Sequence, residues 1–232
     1  MSYPITNNLI RWALPIGLVL VCITAYGHGV SGADARFLNE NQGFQFFVYL
    51  YLGAKHMVTG YDHLMFLFGV IFYLTSIRSV ALYVSLFAIG HSITLLAGVL
   101  LNWNVSAYFV DGIIGLSVVY KAFDNLGGFE RLLGITFNDK PAVFIFGLFH
   151  GLGLATKLQD LSLHEDGLVA NLISFNLGVE IGQILALLFL LLVLSIGQRI
   201  SSNPKPGIVV NMLLMTGGFA LATYQFAYYF AA

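Results

Sequence analysis

The sequence predicts an all-α, polytopic membrane protein in which six transmembrane helices follow an N-terminal signal segment. Of the 232 residues, 58% are hydrophobic and only 9% are charged, and the mean hydropathy is +0.85. A chain of this composition is too apolar for a soluble domain. The net charge of -1 and the lack of a basic run exclude a nucleic-acid partner. The single cysteine, Cys22, excludes an intrachain disulfide and a thiolate metal cluster.

Residues 1–27 have the pattern of a cleavable secretory signal. Arg11 precedes an apolar stretch that ends in small residues at the two positions signal peptidase recognises. Cleavage there would leave 28–232 as a single six-helix membrane domain. Its first residue would be His28, whose free amine and imidazole could together chelate a metal. The alternative is an uncleaved first membrane helix.

The rest of the chain alternates between apolar blocks and short polar stretches. Residues 46–57 are apolar and aromatic but too short to span, so they lie in the interface or lead into the next helix. Each later block is long enough for a spanning helix. The six predicted spans are 61–77, 80–101, 106–122, 141–158, 168–197 and 207–231.

The distribution of basic residues predicts the orientation of these spans. If the chain leaves the signal segment on the outer side, the basic residues of the loops fall on the cytoplasmic side, as the positive-inside rule requires. They are Arg78, Lys121, Arg131, Lys140, Arg199 and Lys205. The predicted N-terminus of the mature chain then faces the periplasm.

Several carboxylates and imidazoles lie within the apolar blocks. They are Asp62, His63, His91, Asp111, His150 and Glu180, with His56 seven residues before His63. We expect no lysine or arginine at comparable depth to pair with them. Because an ionised carboxylate in hydrocarbon costs several kcal/mol without a neutralising partner, such groups commonly mark an ion path or a metal site. The predicted spans bring all of them to the outer half of the bundle.

Each of these residues also has a purely structural interpretation. Asp62 could cap a helix, and His91 could hydrogen-bond to a neighbouring helix. Asn176, Glu180 and Gln183 recur at i, i+4 and i+7 and form a polar stripe, in which Glu180 could be a protonated carboxyl bonded across helices. We interpret the set jointly as a metal site. Asn176, Gln183 and Ser92 are its predicted supporting residues.

The donor types restrict the metal that such a site would bind. Imidazole nitrogens with carboxylate oxygens and no sulfur suit a divalent transition metal, whereas an all-oxygen set would suit Ca²⁺ or Mg²⁺. Ni²⁺, Co²⁺, Zn²⁺, Fe²⁺ and Mn²⁺ all remain open.

Four segments between about 56 and 183 resemble the HupE/UreJ family of bacterial membrane proteins. In this sequence they are His56 with Tyr61-Asp62-His63-Leu64-Met65-Phe66-Leu67, then Gly90-His91-Ser92-Ile93-Thr94-Leu95, Phe146-Gly147-Leu148-Phe149-His150-Gly151-Leu152-Gly153, and Phe175-Asn176-Leu177-Gly178-Val179-Glu180-Ile181-Gly182-Gln183.

The resemblance implies a multi-pass protein of the bacterial inner membrane that carries nickel or cobalt for hydrogenase or urease. It places family motif residues at His56, Asp62, His63, His91, His150 and Glu180. This chain departs from the pattern at Asp111, where many members carry glutamate. The shorter side chain of aspartate has less reach toward a metal.

Two functions therefore follow from the sequence. The first is a nickel/cobalt permease, which the resemblance favours. The second is a membrane-embedded metalloenzyme, hydrolytic or oxidative, with the four histidines His56, His63, His91 and His150 as ligands and Glu180 or Asp111 as general base. A structural membrane subunit is the residual interpretation, and the sequence identifies no partner subunit or oligomeric state.

Overall fold

A computed structural model describes residues 43–74, 76–159, 166–200 and 206–231. The predicted signal segment 1–27 and His28 lie outside the described residues. The described part of the chain is all-helical, as predicted. Its helices are α1 (Phe46–Thr59), α2 (Tyr61–Ile71), α3 (Ile77–Leu100), α4 (Ala107–Asn125), α5 (Gly128–Leu133), α6 (Asp139–Gln159), α7 (Leu168–Ile200) and α8 (Pro206–Ala231).

Four of these helices, α3, α6, α7 and α8, are long and apolar enough to cross a membrane. Their large exposed apolar side chains form a lipid-compatible surface. The predicted span 61–77 is wrong in its length, because α2 has only 11 residues and ends at Ile71. The polar connection before α6 contains the short helix α5, which the predicted spans do not include.

The helix pair α1–α2 is broken at Gly60. Gly60 has an extended backbone, with φ -73° and ψ 102°, and its amide donates to the His56 carbonyl at 2.9 Å to close α1. The carbonyl of Gly60 then accepts from the Leu64 amide at 3.0 Å and opens α2. The break turns the chain without separating His56 from His63.

Glycines bring the helices together in close pairs. A Cβ on Gly151 of α6 would overlap the His91 carbonyl oxygen of α3, and a Cβ on Gly178 of α7 would overlap the Leu50 carbonyl oxygen of α1. The same holds for α4 and α8, where Gly115 faces Ala222. The glycines of α6 and α7 therefore permit close helix approach.

A polar network ties the bundle together at one end. Lys121 of α4 is buried, and its ammonium donates to Asp124 at 2.8 Å and to Asp139 of α6 at 2.7 Å. Beside it, the Asn125 amide donates to the Gly69 carbonyl at 2.8 Å and to the Asn211 side chain at 2.9 Å. Because these bonds join α4 to α2, α6 and α8, the network fixes the packing of this end.

Candidate metal centre

Three histidines from three helices converge in the interior. His56 of α1, His63 of α2 and His91 of α3 each offer one ring nitrogen, and these three atoms all lie within 4.8 Å of one another. Two nitrogens bound to the same metal at about 2.1 Å each are at most about 4.2 Å apart. The observed spacing therefore needs only a small contraction to bind an ion.

His150 of α6 lies against this group. Its ring centroid is 4.9 Å from that of His63, and its Nδ1 lies 2.7 Å from the Phe146 carbonyl oxygen. Because a carbonyl can only accept, Nδ1 carries the proton and Nε2 becomes the nitrogen with the lone pair. We call His56, His63, His91 and His150 the histidine cluster.

Asp62 forms a hydrogen-bonded pair with His63, its neighbour in the sequence. Its carboxylate accepts from His63 Nδ1 at 2.7 Å, and both side chains are almost fully buried. The bond leaves His63 Nε2 as the lone-pair nitrogen. Carboxylate–histidine pairs of this kind fix ring orientation and raise the basicity of metal-binding histidines.

Local packing explains how distant segments meet here. Gly147 and Gly151 let α6 contact the backbone of α3 at Phe87 and His91. The Thr94 hydroxyl of α3 then donates to the Leu148 carbonyl of α6 at 2.6 Å. This arrangement places His91 and His150 side by side at the interface between α3 and α6.

Aromatic side chains surround the histidine cluster. Phe87 is stacked near His91 with ring centroids 6.3 Å apart and contacts His150 edge-on at 4.9 Å. Phe66 lies 5.5 Å from His150, and Phe175 lies 6.1 Å from His56. All three phenylalanines are fully buried. These rings form an apolar surround on the buried side of the cluster, which lowers the local dielectric there, whereas His56 is only partly buried.

Asp111 lies at an ion pair instead of at the histidine cluster. Both carboxylate oxygens accept from the Lys157 ammonium, at 2.8 and 3.1 Å, and the Gln225 amide approaches at 3.4 Å. The expectation that no lysine lies at comparable depth is therefore wrong. Lys157 is near the end of α6, but its long side chain reaches back to α4.

Glu180 also lies outside the group of three histidines, and its side chain is exposed on the surface of α7. At about 100° per residue, Gln183 lies about 20° to one side of Asn176 around the helix axis, and Glu180 about 40° to the other. Asn176 and Gln183 are buried, whereas Glu180 falls just beyond the edge of the buried face. Residues at i, i+4 and i+7 cover about 60° of the helix surface. The spacing alone therefore does not predict which of the three side chains is buried.

The predicted supporting residues take different positions. Asn176 lies close to the His91 ring, and Gln183 is fully buried on the same face of α7. Ser92 is only half-buried. The structure therefore supports Asn176 as a neighbour of the cluster. Sequence reasoning missed Phe66 and Phe87 in the apolar surround, since no motif distinguishes them from other core aromatics.

Comparison with known proteins gives one decisive match. The family model described as HupE/UreJ protein matches residues 33–232. The chain belongs to the HupE/UreJ family. No curated protein and no solved structure matched the chain. The family assignment and the apolar helices together identify this chain as a multi-pass membrane protein.

Proposed function

We propose that this HupE/UreJ protein is a permease for a divalent transition metal, with nickel or cobalt as its ion, and that the ion passes through the histidine cluster. The observation that carries the proposal is the approach of three imidazole nitrogens to within 4.8 Å inside the bundle. Neutral imidazoles suit Ni²⁺, Co²⁺, Zn²⁺, Fe²⁺ and Mn²⁺. Family membership favours the first two.

The charge around the histidine cluster favours release of the ion over permanent retention. Asp62 is the carboxylate bonded to the cluster, through His63, while Lys157 neutralises Asp111. A divalent ion at the cluster would therefore keep about one uncompensated positive charge in a low-dielectric interior, which weakens binding. A permease needs such a limit, because an ion held too tightly is not transported.

Helix directions support the predicted six crossings with the cluster toward the periplasm. α1 runs parallel to α7, α3 runs parallel to α6, and α4 runs antiparallel to α8, as the order of the glycine contacts requires. These relations hold if α1 and α2 together make one broken crossing. Asn176 is then about 12 Å below the outer end of α7, at 1.5 Å per residue.

The metalloenzyme hypothesis has weaker support. A hydrolytic metal site needs a general base with access to metal-bound water. Of the two proposed bases, Asp111 is paired with Lys157 and Glu180 faces outward. The part of the chain that the structure describes thus supplies neither of them to the cluster.

Uptake by purified protein in proteoliposomes tests the proposal. We expect Ni²⁺ or Co²⁺ uptake by the unaltered protein, and at least a tenfold lower rate for His91→Leu, which removes one ligand from the cluster. The matched control is His164→Ala, in the polar stretch before α7, which should transport normally. Protein that retains stoichiometric metal through chelator treatment and gives no flux would overturn the permease proposal and favour a fixed metal site.

A further inference from the structure

Gln183 of α7 is a buried amide that the histidine cluster does not use. Its side chain is fully buried. The amide nitrogen makes a long hydrogen bond of 3.4 Å to the Val84 carbonyl of α3. The amide oxygen Oε1 is buried and has no hydrogen-bond partner among the described residues. Leaving such an acceptor unsatisfied costs about 1–3 kcal/mol.

A buried amide oxygen without a partner in the protein can accept a hydrogen bond or bind a cation. The nitrogen of Gln183 is directed to a carbonyl, so its oxygen remains the atom that can bind a donor or an ion. A neutral amide oxygen is a less suitable ligand for Ni²⁺ than an imidazole nitrogen, so it should hold the ion less strongly. An apolar residue of similar volume would fill the same space without the energetic cost.

Gln183 also lies on the inner side of the cluster and in line with it. Asn176, seven residues earlier on the same face of α7, is next to His91, whereas Gln183 is next to Val84, seven residues before His91 on α3. Seven residues correspond to about 10 Å along a helix. Neither Asn176 Oδ1 nor the His91 ring nitrogens make a well-formed hydrogen bond among the described residues.

We infer that the α3–α7 interface carries a second cation position at the Gln183 side-chain oxygen. The metal reaches this oxygen from the part of the cluster next to His91 and Asn176. This inference rests on the proposed function, and it identifies the next step of the ion's route. The ion moves from nitrogen donors that hold it to a neutral oxygen that holds it less strongly. Gln183 is thus a transport residue and not a ligand of the histidine cluster.

The electrostatics farther inward favour the same direction of movement. Tyr83, adjacent to Val84 on α3, lies within electrostatic range of Asp139, Lys121 and Asp124. The latter three form the network at the end of the bundle, in which one ammonium faces two carboxylates. The network therefore carries about one net negative charge when all three groups are ionised, which attracts a cation that leaves Gln183.

Two substitutions at Gln183 test the inference. Gln183→Met keeps the volume and removes the oxygen, so Ni²⁺ binding to purified protein should stay within about twofold of normal while uptake into proteoliposomes falls at least tenfold. Gln183→Glu supplies an anionic oxygen at the same place. It should raise the Ni²⁺ bound at saturation by one equivalent per chain, measured by metal analysis after desalting.

The outcomes separate this inference from the permease proposal. Normal uptake by Gln183→Met would overturn the second cation position. Loss of Ni²⁺ binding together with uptake would also overturn it, because Gln183 would then support the histidine cluster itself. If Gln183→Met does not fold, the metal content of Gln183→Glu tests the inference. The inference is rejected if Gln183→Glu binds the same number of Ni²⁺ ions per chain as the unaltered protein. Failure of the unaltered protein to bind or transport any metal would instead reject the proposed function.

Discussion

At the scale of single residues, the histidine cluster is organised by hydrogen bonds that Nδ1 atoms donate to oxygen acceptors. His63 bonds Asp62 and His150 bonds the Phe146 carbonyl, each at 2.7 Å. Both bonds assign the proton to Nδ1 and leave Nε2 as the nitrogen with the lone pair. Two of the four imidazoles are therefore oriented before a metal arrives, which reduces the entropy lost on binding.

The pairing of Asp62 with His63 predicts the effect of Asp62→Asn. The amide oxygen of asparagine can still accept from His63 Nδ1, but the negative charge that raises the basicity of the ring is lost. We expect Ni²⁺ affinity to fall about 10–100-fold, as measured by titration of purified protein. Asp166→Asn, at an exposed acid before α7, is the control. An unchanged dissociation constant for Asp62→Asn would show that the pair does not tune the site.

A second prediction concerns Asp111 as an ion-pair residue. Asp111→Asn leaves the mostly buried Lys157 charge without its anion, so the free energy of unfolding should fall by about 3–5 kcal/mol. The double variant Asp111→Asn/Lys157→Met should recover much of this stability in thermal unfolding. The number of Ni²⁺ ions bound per chain should not change in the double variant. Loss of one ion would instead identify Asp111 as a ligand.

The residue types of the site were predictable from the sequence, but their partners were not. Histidines within apolar segments were anomalous enough to be identified individually. The pairing of Asp111 with Lys157 depends on the contact between α4 and α6, which no local pattern encodes. Likewise, the outward turn of Glu180 depends on which face of α7 packs against α1.

At the scale of helices, close packing and one helix break position the site. The α3–α6 pair brings His91 beside His150, and the break at Gly60 keeps His56 near His63, with ring centroids 5.0 Å apart. Hydropathy predicted the positions of α3, α6, α7 and α8 well. It overestimated α2, because the apolar residues after Ile71 form a turn rather than further helix, and composition alone does not distinguish the two.

The contact between α3 and α6 predicts the effect of Gly151→Ala. The new methyl group would overlap the His91 carbonyl and approach the Thr94 hydroxyl, so the two helices must separate. We expect a stability loss of about 1–3 kcal/mol and weaker Ni²⁺ binding. Gly69→Ala is the matched control, because its methyl would meet its nearest neighbour at an ordinary 3.4 Å. Equal thermal stability and affinity in the two variants would contradict this account of the site.

At the scale of the whole molecule, the ends of the helices separate into two groups. The Gln45 amide donates to the Asn171 side chain at 2.9 Å, and Asn171 donates to the Gly43 carbonyl at 3.0 Å. The starts of α1 and α7 therefore lie at the same end of the bundle. The network of Lys121, Asp124 and Asp139 joins the end of α4 to the start of α6. If the chain crosses the membrane six times, this network lies at the end of the bundle opposite to the starts of α1 and α7.

This separation predicts which positions a membrane-impermeant maleimide can label in intact cells. In a Cys22→Ser background, Asn104→Cys and Asp166→Cys should react from the periplasmic side, because they precede α4 and α7. Leu132→Cys, which is 75% exposed in α5, should react only after the cells are opened, because the positive-inside rule places the Arg131 segment in the cytoplasm. Labelling of Leu132→Cys and Asp166→Cys from the same side would be incompatible with six crossings. If all three positions react from the opposite sides, the six crossings remain but the histidine cluster lies nearer the cytoplasm. The proposed route would then carry the ion out of the cell.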